Sequence, residues 1–389
     1  MRAGAGRLRT VRGRGILPLP MADDLRPTPL SAWHAARGAR MVPFAGFSMP
    51  VQYERGIQEE VRTVRGDCGL FDLCHMGRLI LTGGDHIAAA DHVLSQNVAK
   101  IPEGAIRYAL ICTPEGTVVD DVLVYREGPK IHVVINASGR GVDGPWFEKH
   151  AERFDVAIED ASDRQAMIAL QGPRSPEVLR QVCDTDLAQL KYYRFTRGTL
   201  LRSVGAIVSR TGYTGEDGFE LFFPITETVR VWEALVAAGG TPCGLGARDV
   251  CRTEAGMPLY GHEINREITP LEAGLDFGMD LEKDFVGADA LRAQRDAGIP
   301  RRLVGLRVEG KRVPREGCAL LHGGAPTGFV TSGTFSPTLD RPIAMGLVKS
   351  EHAREGVALE ADLRGRAVAA TVEGLPFYSR KRKKQAPGG

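Results

Sequence analysis

The chain has 389 residues, a length that suggests two or three domains rather than one compact core. Its composition, 43% hydrophobic and 25% charged, is that of an ordinary globular protein, and a formal net charge of +2 gives no general attraction to nucleic acid. No apolar run approaches the ~20 residues of a membrane span, so we expect neither a nucleic-acid partner nor a membrane partner.

Seven cysteines are scattered along the chain without a Cys-x-x-Cys pair. That spacing argues against a zinc site and against a disulfide framework, and it fits a reducing compartment. Cys68, Cys74 and His75 lie close in sequence, but their spacing matches no metal-binding pattern, so packing is the better interpretation. We therefore expect no bound metal and a cytoplasmic location.

Residues 1–27 form a basic N-terminal extension that stands apart in composition. The segment is rich in arginine and glycine, and its first acidic residue is Asp23. Three interpretations stay open: an over-long gene start with Met21 as the true initiator, which we favour; a disordered basic arm; or a mitochondrial presequence, which would place the protein in the mitochondrial matrix. Residues 380–389 form a second basic segment, a tail that we expect to be mostly solvated charge.

Residues 28–290 show the spacing of a mixed helical and stranded region. The pattern predicts helices over 54–65, 87–94, 175–183 and 227–238, and strands over 79–81, 117–125, 131–136 and a run closing at 170–173. The pattern changes near residues 296–300. Beyond that point six short alternating runs separated by glycines predict an all-β module, a small barrel or a sandwich, over 303–308, 319–321, 327–331, 344–348, 357–363 and 367–372.

The most informative stretch is Ser209-Arg-Thr-Gly-Tyr-Thr-Gly-Glu-Asp-Gly-Phe-Glu220. Its glycines at 212, 215 and 218 predict a tight turn with backbone angles that other residues resist. The turn feeds a strand that carries Glu220, half buried beside phenylalanines. A carboxylate buried without donors is costly, so a ligand that supplies donors is the functional interpretation; the plain alternative is a hairpin whose acidic residues face water.

A second candidate is the pair Asp120-Asp121 at the start of an apolar strand. Because side chains alternate along a strand, Asp121 shares a face with Tyr125 while Asp120 points away. Adjacent acidic residues usually mark a turn or a helix cap. Their surroundings favour a site here, since Tyr108 lies upstream and Asn136 closes the partner strand.

Familiar nucleotide and nucleophile motifs are missing. The sequence has no Gly-x-Ser-x-Gly elbow and no Walker loop. The segment Gly244-Leu-Gly246 resembles a dinucleotide-binding turn, but it lacks the third glycine and follows no clear strand, so we reject that interpretation.

Taken together, the blocks resemble the aminomethyltransferase (T-protein) family of the glycine cleavage system. The resemblance runs from Thr28-Pro-Leu30 to Leu375-Pro-Phe-Tyr378, over most of the chain. Besides the stretches above it includes the blocks starting at Met41, Gly69 (Gly-Leu-Phe-Asp), His75 (His-Met-Gly-Arg), Gly244, Thr269 (Thr-Pro-Leu-Glu-Ala-Gly-Leu) and Lys283. One departure is Cys74, where the family has serine; both residues are small, so we expect it to be tolerated.

The resemblance implies a fold and a reaction. The fold class is α+β: a multi-domain folate-binding aminomethyltransferase fold, with two intertwined α/β subdomains over 28–290 and a C-terminal all-β, barrel-like domain over 300–378. The implied reaction transfers a one-carbon unit from an aminomethylated lipoyl arm, carried by the lipoylated H-protein, to the co-substrate tetrahydrofolate. Ammonia leaves and 5,10-methylenetetrahydrofolate forms, with no metal and no flavin.

The resemblance also implies the site residues. Asp121 matches the catalytic acid, and Glu220 matches the carboxylate that accepts the amine and the ring N–H of the pterin as a bidentate pair. Tyr213, Tyr108 and Met76 match contacts to the pterin ring. The anionic tail of folate is expected to bind an arginine, and Arg252 is the first candidate. Further folate-binding candidates are Tyr125, Asn136, Tyr260, Tyr378 and Arg380.

Three rival functions are weaker. A folate-binding relative that acts in iron–sulfur cluster assembly without transferase activity would carry Lys-Gly-Cys where this chain has Lys283-Asp-Phe285. Demethylating flavoenzymes fuse a similar module to a large flavin domain, for which this chain has neither room nor fingerprint. A pure scaffold would leave Asp121 and Glu220 unexplained.

Overall fold

The structure is a computed structural model that describes residues 25–381. Residues 1–24 of the N-terminal extension lie outside the described residues, so its three interpretations stay predictions. Most of the basic tail, residues 382–389, lies outside them as well. Within 25–381, no helix is long and apolar enough to cross a membrane.

Helices and strands alternate through the first three quarters of the chain. In chain order they are β1 (Arg26–Pro27), α1 (Ser31–Ala36), β2 (Arg40–Phe44), β3 (Phe47–Gln52), α2 (Ile57–Gly66), β4 (Gly69–Asp72), β5 (Gly77–Thr82), α3 (His86–Val93), β6 (Ile106–Cys112), β7 (Val118–Glu127), β8 (Lys130–Ile135), α4 (Asp143–Ala151), β9 (Ala157–Asp160), β10 (Gln165–Gln171), α5 (Ser175–Arg180), β11 (Phe195–Leu200), β12 (Val204–Ser209), β13 (Gly218–Pro224), α6 (Thr228–Ala237), β14 (Thr241–Pro242), α7 (Leu245–Glu254) and α8 (Ala288–Ala297).

Six further strands follow, and they close into a barrel of order β15-β18-β17-β16-β19-β20. Their bounds are β15 (Arg301–Val308), β16 (Ala319–His322), β17 (Ala325–Ser336), β18 (Arg341–Lys349), β19 (Ala358–Asp362) and β20 (Ala367–Glu373). Each of the six predicted alternating runs coincides with one strand, and closure removes the exposed edges that an open sheet would leave. The α+β class and the C-terminal barrel are confirmed.

The strands before the barrel form three sheets. A small sheet has the order β1-β3-β2, a second has the order β11-β12-β13-β10-β4-β14, and a third has the order β6-β7-β8-β5-β9. The chain leaves the second sheet after β4, builds the whole third sheet, and returns at β10. The two larger sheets are therefore interleaved in sequence.

The chain passes from β4 to β5 through the short segment 73–76. Asp72, which is fully buried, holds this segment by accepting a hydrogen bond from the backbone N–H of Cys74 (2.9 Å). The other oxygen of Asp72 accepts from Thr28 Oγ1 (2.6 Å) and lies 3.2 Å from His34 Nε2. A buried carboxylate with this many partners fixes the crossing point, and with it the position of Met76.

Helix α7 connects the body of the molecule to the barrel. It packs against α2, β3 and β17. At its C-terminal end Glu254 accepts hydrogen bonds from Ser336 Oγ (2.5 Å) and Thr338 Oγ1 (2.8 Å) of the barrel and from Arg65 on α2 (2.7 Å). These charge-assisted bonds seat the barrel on the helix.

Element boundaries differ from the sequence prediction by a few residues. The helix predicted over 54–65 begins at Ile57, because Gly56 precedes it with φ +78°, outside the helical region. The helix predicted over 175–183 ends at Arg180. The strand pair predicted over 117–125 and 131–136 is β7 and β8, and the turn between them lies where expected.

The glycine-rich turn before β13 is present, but the predicted reason for its glycines is only partly right. Gly215 has φ +80°, the left-handed region that favours glycine. Gly212 and Gly218 are required for space instead. A Cβ on Gly212 would lie 2.0 Å from Gln171 Oε1, and one on Gly218 would lie 2.5 Å from the carbonyl oxygen of Leu170.

We expect Gly218→Ala to lower the free energy of unfolding by about 1–3 kcal/mol, the usual cost of overpacking. The matched control is Gly205→Ala on the neighbouring strand β12, where an added Cβ has no atom within 4 Å. The control should be neutral or slightly stabilising, because alanine restricts the unfolded chain. Urea denaturation of both variants measures the difference, and equal stability of the two would contradict the crowding at Gly218.

Candidate active site

A cavity of about 680 Å³ opens between the two larger sheets and α7. Its wall combines the first half of β7, Glu220 of β13, the segment 73–76, one face of α7 and the loop 257–262. Eight of the residues singled out from the sequence line it: Met76, Tyr108, Asp121, Asn136, Tyr213, Glu220, Arg252 and Tyr260. Elements far apart in sequence thus converge on one concave, largely apolar space, the usual form of a small-molecule site.

Asp121 is held by Asn136. The antiparallel register that pairs Leu123 with Val134 brings Asn136 opposite Asp121, and Asn136 Nδ2 donates to Asp121 Oδ1 at 2.8 Å. Burial and the negative charge of Asp120 raise the pKa of Asp121 to about 7. A carboxyl with that pKa can change its protonation state near neutral pH, as a group that handles protons or developing positive charge requires.

Tyr108 lies beside Asp121 on the neighbouring strand β6. Its hydroxyl is buried and has no hydrogen-bond partner among the described residues. Burial, together with the charge of Asp121, raises the pKa of Tyr108, so the hydroxyl stays protonated. Its ring stacks at 5.4 Å on Phe277, which is 68% exposed and forms part of the cavity rim.

Glu220 is more deeply buried than the sequence suggested, at 3% exposure. The reason is its place on β13, an interior strand that pairs with β12 on one side and β10 on the other. Oε2 accepts from Thr211 Oγ1 (2.5 Å), and the chain of hydroxyls continues through Ser209 to Tyr125. Burial raises the pKa of Glu220, while the Thr211 bond and the Arg248 charge oppose the shift.

Arg248 supplies a cation to the same wall. Its guanidinium lies 4.8 Å from the centre of the Tyr213 ring, and Nη2 lies 3.9 Å from Met76 Sδ. Nη1 is buried without a hydrogen-bond partner among the described residues. Burial lowers the pKa of Arg248, and the charge of Glu220 opposes that shift. The wall therefore presents a carboxylate and an unused N–H donor together.

Comparisons with known proteins identify the family. The family model "GCVT N-terminal domain" matches residues 30–283, and "Glycine cleavage T-protein C-terminal barrel domain" matches residues 301–379. Aminomethyltransferases of Desulfitobacterium hafniense and Rubrobacter xylanophilus are 44% and 46% identical, over 92% of this chain and 99% and 95% of those proteins. The crystal structure of the glycine cleavage system aminomethyltransferase T from Bartonella henselae superposes with a TM-score of 0.87 at 31% identity, covering 92% of this chain and 99% of that one.

The chain belongs to the glycine cleavage T-protein family. The family and the enzyme class predicted from the sequence are confirmed.

Arg252, the sequence's candidate for the folate tail, is fully engaged in this T-protein. It is 2% exposed. Its guanidinium donates to Asp249, Glu263, the carbonyl oxygen of Met257 and Ser332 Oγ, at 2.7–3.3 Å. An anionic ligand would have to displace one of these partners, so Arg252 supports the wall, whereas Arg248 keeps an N–H without a partner among the described residues.

Three further predicted residues lie outside the cavity lining. Tyr125 is 1% exposed in the core and reaches Glu220 only through the hydroxyl chain. Tyr378 donates to Glu216 Oε1 (2.5 Å) and stacks under Arg65. Arg380 pairs with Asp217 (3.2 Å) and lies over the ring of Tyr192. Their roles in folate binding stay predictions.

Arg248 and His75 line the cavity, yet the sequence analysis assigned no role to Arg248 and interpreted His75 as a packing residue. Arg248 and Arg252 are four residues apart on one helix, so spacing alone places both on the same face. His75 also lies in one of the blocks that carry the family resemblance. Its ring contacts Phe44 and Phe47 edge-on, and burial lowers the pKa of His75 to about 3, so it stays neutral at physiological pH.

Proposed function

We propose that the cavity binds tetrahydrofolate and accepts the aminomethylated lipoyl arm of an H-protein. The enzyme releases ammonia and forms 5,10-methylenetetrahydrofolate. The observation that carries the proposal is the presence of two carboxylates, the partly buried Asp121 and the buried Glu220, on different strands of one cavity with an aromatic wall formed by Tyr108 and Tyr213.

Glu220 fits the pterin edge. Its Oε2 is held by Thr211, and Oε1 has no hydrogen-bond partner among the described residues. A pterin presents an exocyclic amine and a ring N–H side by side, and a carboxylate accepts both in a charge-assisted pair. The ring carbonyl beside that N–H would accept from Arg248 Nη1, the donor left without a partner.

Asp121 fits the reacting centre. As ammonia departs, the one-carbon unit passes through cationic methylene species. A fixed, partly buried carboxylate stabilises such charge more than one in open solvent, because fewer water molecules screen it. Asn136 holds this carboxylate in place, and Tyr108 supplies a neutral hydroxyl beside it. Asp121 thus orients the folate amine that attacks and stabilises the developing positive charge, without forming a covalent intermediate.

A single assay tests the function. Ammonia release from aminomethylated H-protein should depend on tetrahydrofolate and yield methylenetetrahydrofolate in equal amount. H-protein without the lipoyl arm is the control and should give no release. Ammonia formed at the same rate with and without tetrahydrofolate would overturn the proposal.

We expect the complex with the H-protein to weaken as salt is added. The exposed Arg266 lies near Tyr260 at the cavity wall, and the implied carrier is acidic. Exposed charges are screened beyond about 8 Å at physiological ionic strength. Titration of the carrier at rising salt measures the effect, and Arg266→Ala should reduce the salt dependence whereas Arg230→Ala on α6 should not. A salt-independent affinity would contradict docking by charge.

A further inference from the structure

A cluster of three carboxyl groups, Asp120, Asp121 and Asp143, extends from Asn136 at the cavity wall into the interior behind it. Asn136 Nδ2 donates to Asp121 Oδ1 (2.8 Å) and also to Asp120 Oδ1 (2.7 Å), and the backbone N–H of Asn136 donates to Asp120 Oδ2 (3.1 Å). Asp143, the first residue of α4, faces Asp120 from the far side. Asp120 and Asp143 are 1% and 0% exposed, and neither lines the cavity.

Gly139 shows how closely these two carboxyls approach. A Cβ placed on Gly139 would lie 2.4 Å from Asp143 Oδ2 and 2.5 Å from Asp120 Oδ2. Both oxygens therefore flank the same point beside Gly139, which leaves no room there for a side chain and brings the two carboxyl groups close together. Two ionised carboxylates this close would repel each other in a region that water does not reach.

Asp143 has no donor to stabilise a negative charge. Neither of its oxygens has a hydrogen-bond partner among the described residues. The cation that acts on Asp143 is Arg266, which is exposed and forms no ion pair with Asp143; besides the three carboxyls, the ionisable groups that face the cluster are Tyr260 and Tyr108. A buried carboxylate without donors is strongly disfavoured, whereas a carboxylic acid can donate its proton to a neighbour. Burial and the charge of Asp120 raise the pKa of Asp143 to about 10.

We propose that Asp143 is a protonated positioning residue: its O–H donates to Asp120, and this acid–carboxylate pair fixes Asn136 so that the amide of Asn136 holds Asp121. One proton is shared between two carboxyls, so the pair carries a single negative charge. That charge keeps Asp120 as an acceptor for two N–H groups of Asn136. The role of the pair toward Asp121 rests on the proposed function, but the protonation of Asp143 does not.

The first test needs no activity. Asp143→Asn replaces a neutral acid by a neutral amide of the same shape. In the folded wild type the raised pKa keeps Asp143 protonated. In the unfolded chain the same carboxyl has an ordinary pKa of 3.8 and loses its proton once the pH exceeds that value. Wild-type stability is therefore lost progressively as pH rises from about 4 to about 10, and the variant lacks that loss. We expect the difference in Tm between Asp143→Asn and the wild type to change in favour of the variant as the pH rises. At pH 9 the Tm of the variant should exceed that of the wild type.

The control for this comparison is Asp289→Asn, whose side chain is 98% exposed. Its Tm difference from the wild type should be small and change little between pH 5 and 9. Infrared spectroscopy gives a second readout: at pH 9, where Asp121 is ionised, the carbonyl band of the protonated Asp143 carboxyl should be present in the wild type and missing from Asp143→Asn. A pH-independent Tm difference for Asp143→Asn, or no such band in the wild type, overturns the protonation of Asp143.

The second test addresses positioning. Asp143→Leu keeps the branching at Cγ, in a larger side chain, but removes the donor, so we expect kcat to fall roughly 10- to 100-fold, the scale of a small misplacement at a reacting centre. KM for tetrahydrofolate should stay within about threefold, and Asp143→Asn should restore most of kcat, because its amide can still donate. If Asp143→Leu lowers only Tm and leaves kcat unchanged, or if Asp143→Asn is as slow as Asp143→Leu, the positioning role is wrong. Should Asp143→Leu not fold, Asp143→Asn and the infrared band decide the proposal.

Discussion

Asp121→Asn is expected to lower kcat at saturating tetrahydrofolate by about 10²–10³-fold, the scale seen when one preorganised electrostatic group is removed. The amide keeps the shape of the side chain but not its charge, so the loss should appear in turnover while folate affinity changes little. Saturated turnover and calorimetric affinity, measured side by side, separate the two. Normal turnover at saturating folate would show that Asp121 is a binding or structural acid.

The pH profile adds a second signature to the same variant. Because burial and the charge of Asp120 raise the pKa of Asp121 to about 7, wild-type kcat should rise as pH increases through about 7 and the carboxylate forms. Asp121→Asn should lack this limb. Asp289→Asn on the exposed face of α8 is the matched control and should keep both the wild-type rate and the limb.

Glu220→Gln is expected to weaken tetrahydrofolate binding by roughly 1.5–3 kcal/mol, the scale of a charged hydrogen bond. The amide offers one acceptor and one donor, and the donor would face a donor of the pterin. Thr211 can still donate to the amide oxygen, so the variant should stay folded. Calorimetry measures the affinity, and saturated turnover should fall far less than in Asp121→Asn.

The control for Glu220 is Glu177→Gln on α5, whose side chain is 58% exposed and pairs with Arg174. Exposed pairs contribute about 0–1 kcal/mol to stability, and this one lies outside the cavity lining, so folate affinity should not change. A Glu220→Gln variant that binds folate as tightly as this control would remove Glu220 from the pterin site.

The barrel and the strand that carries Glu220 were predictable from the sequence, because runs of alternating apolar and polar residues, separated by glycines, are local signals. The choice between Arg248 and Arg252 was not, since it depends on which guanidinium meets Asp249, Glu263 and the barrel. Sequence shows one helical face; only tertiary contacts show which charge is already paired.

Contacts between distant segments also explain why the sequence did not reveal the roles of Gly218 and Asp143. Gly218 looked like a residue chosen for its backbone angles, but its constraint is the carbonyl oxygen of Leu170 on the neighbouring strand. Asp143 carried no signal at all, because its meaning depends on Asp120, which is 23 residues earlier and on another element. A carboxyl brought against another carboxyl changes protonation state, and no local pattern encodes that encounter.

Helix α7 gives the barrel an influence on the cavity at a distance. Arg248 reaches the cavity from the middle of this helix, while Arg252 and Glu254 on the same helix bond Ser332 and Ser336 of the barrel. A substitution in the barrel that removes either serine takes one hydrogen-bond partner from a buried charged side chain on α7. We expect the helix to shift in response. Damage to the C-terminal domain would then alter the cavity and weaken the proposed folate binding, although none of the described barrel residues lines the cavity.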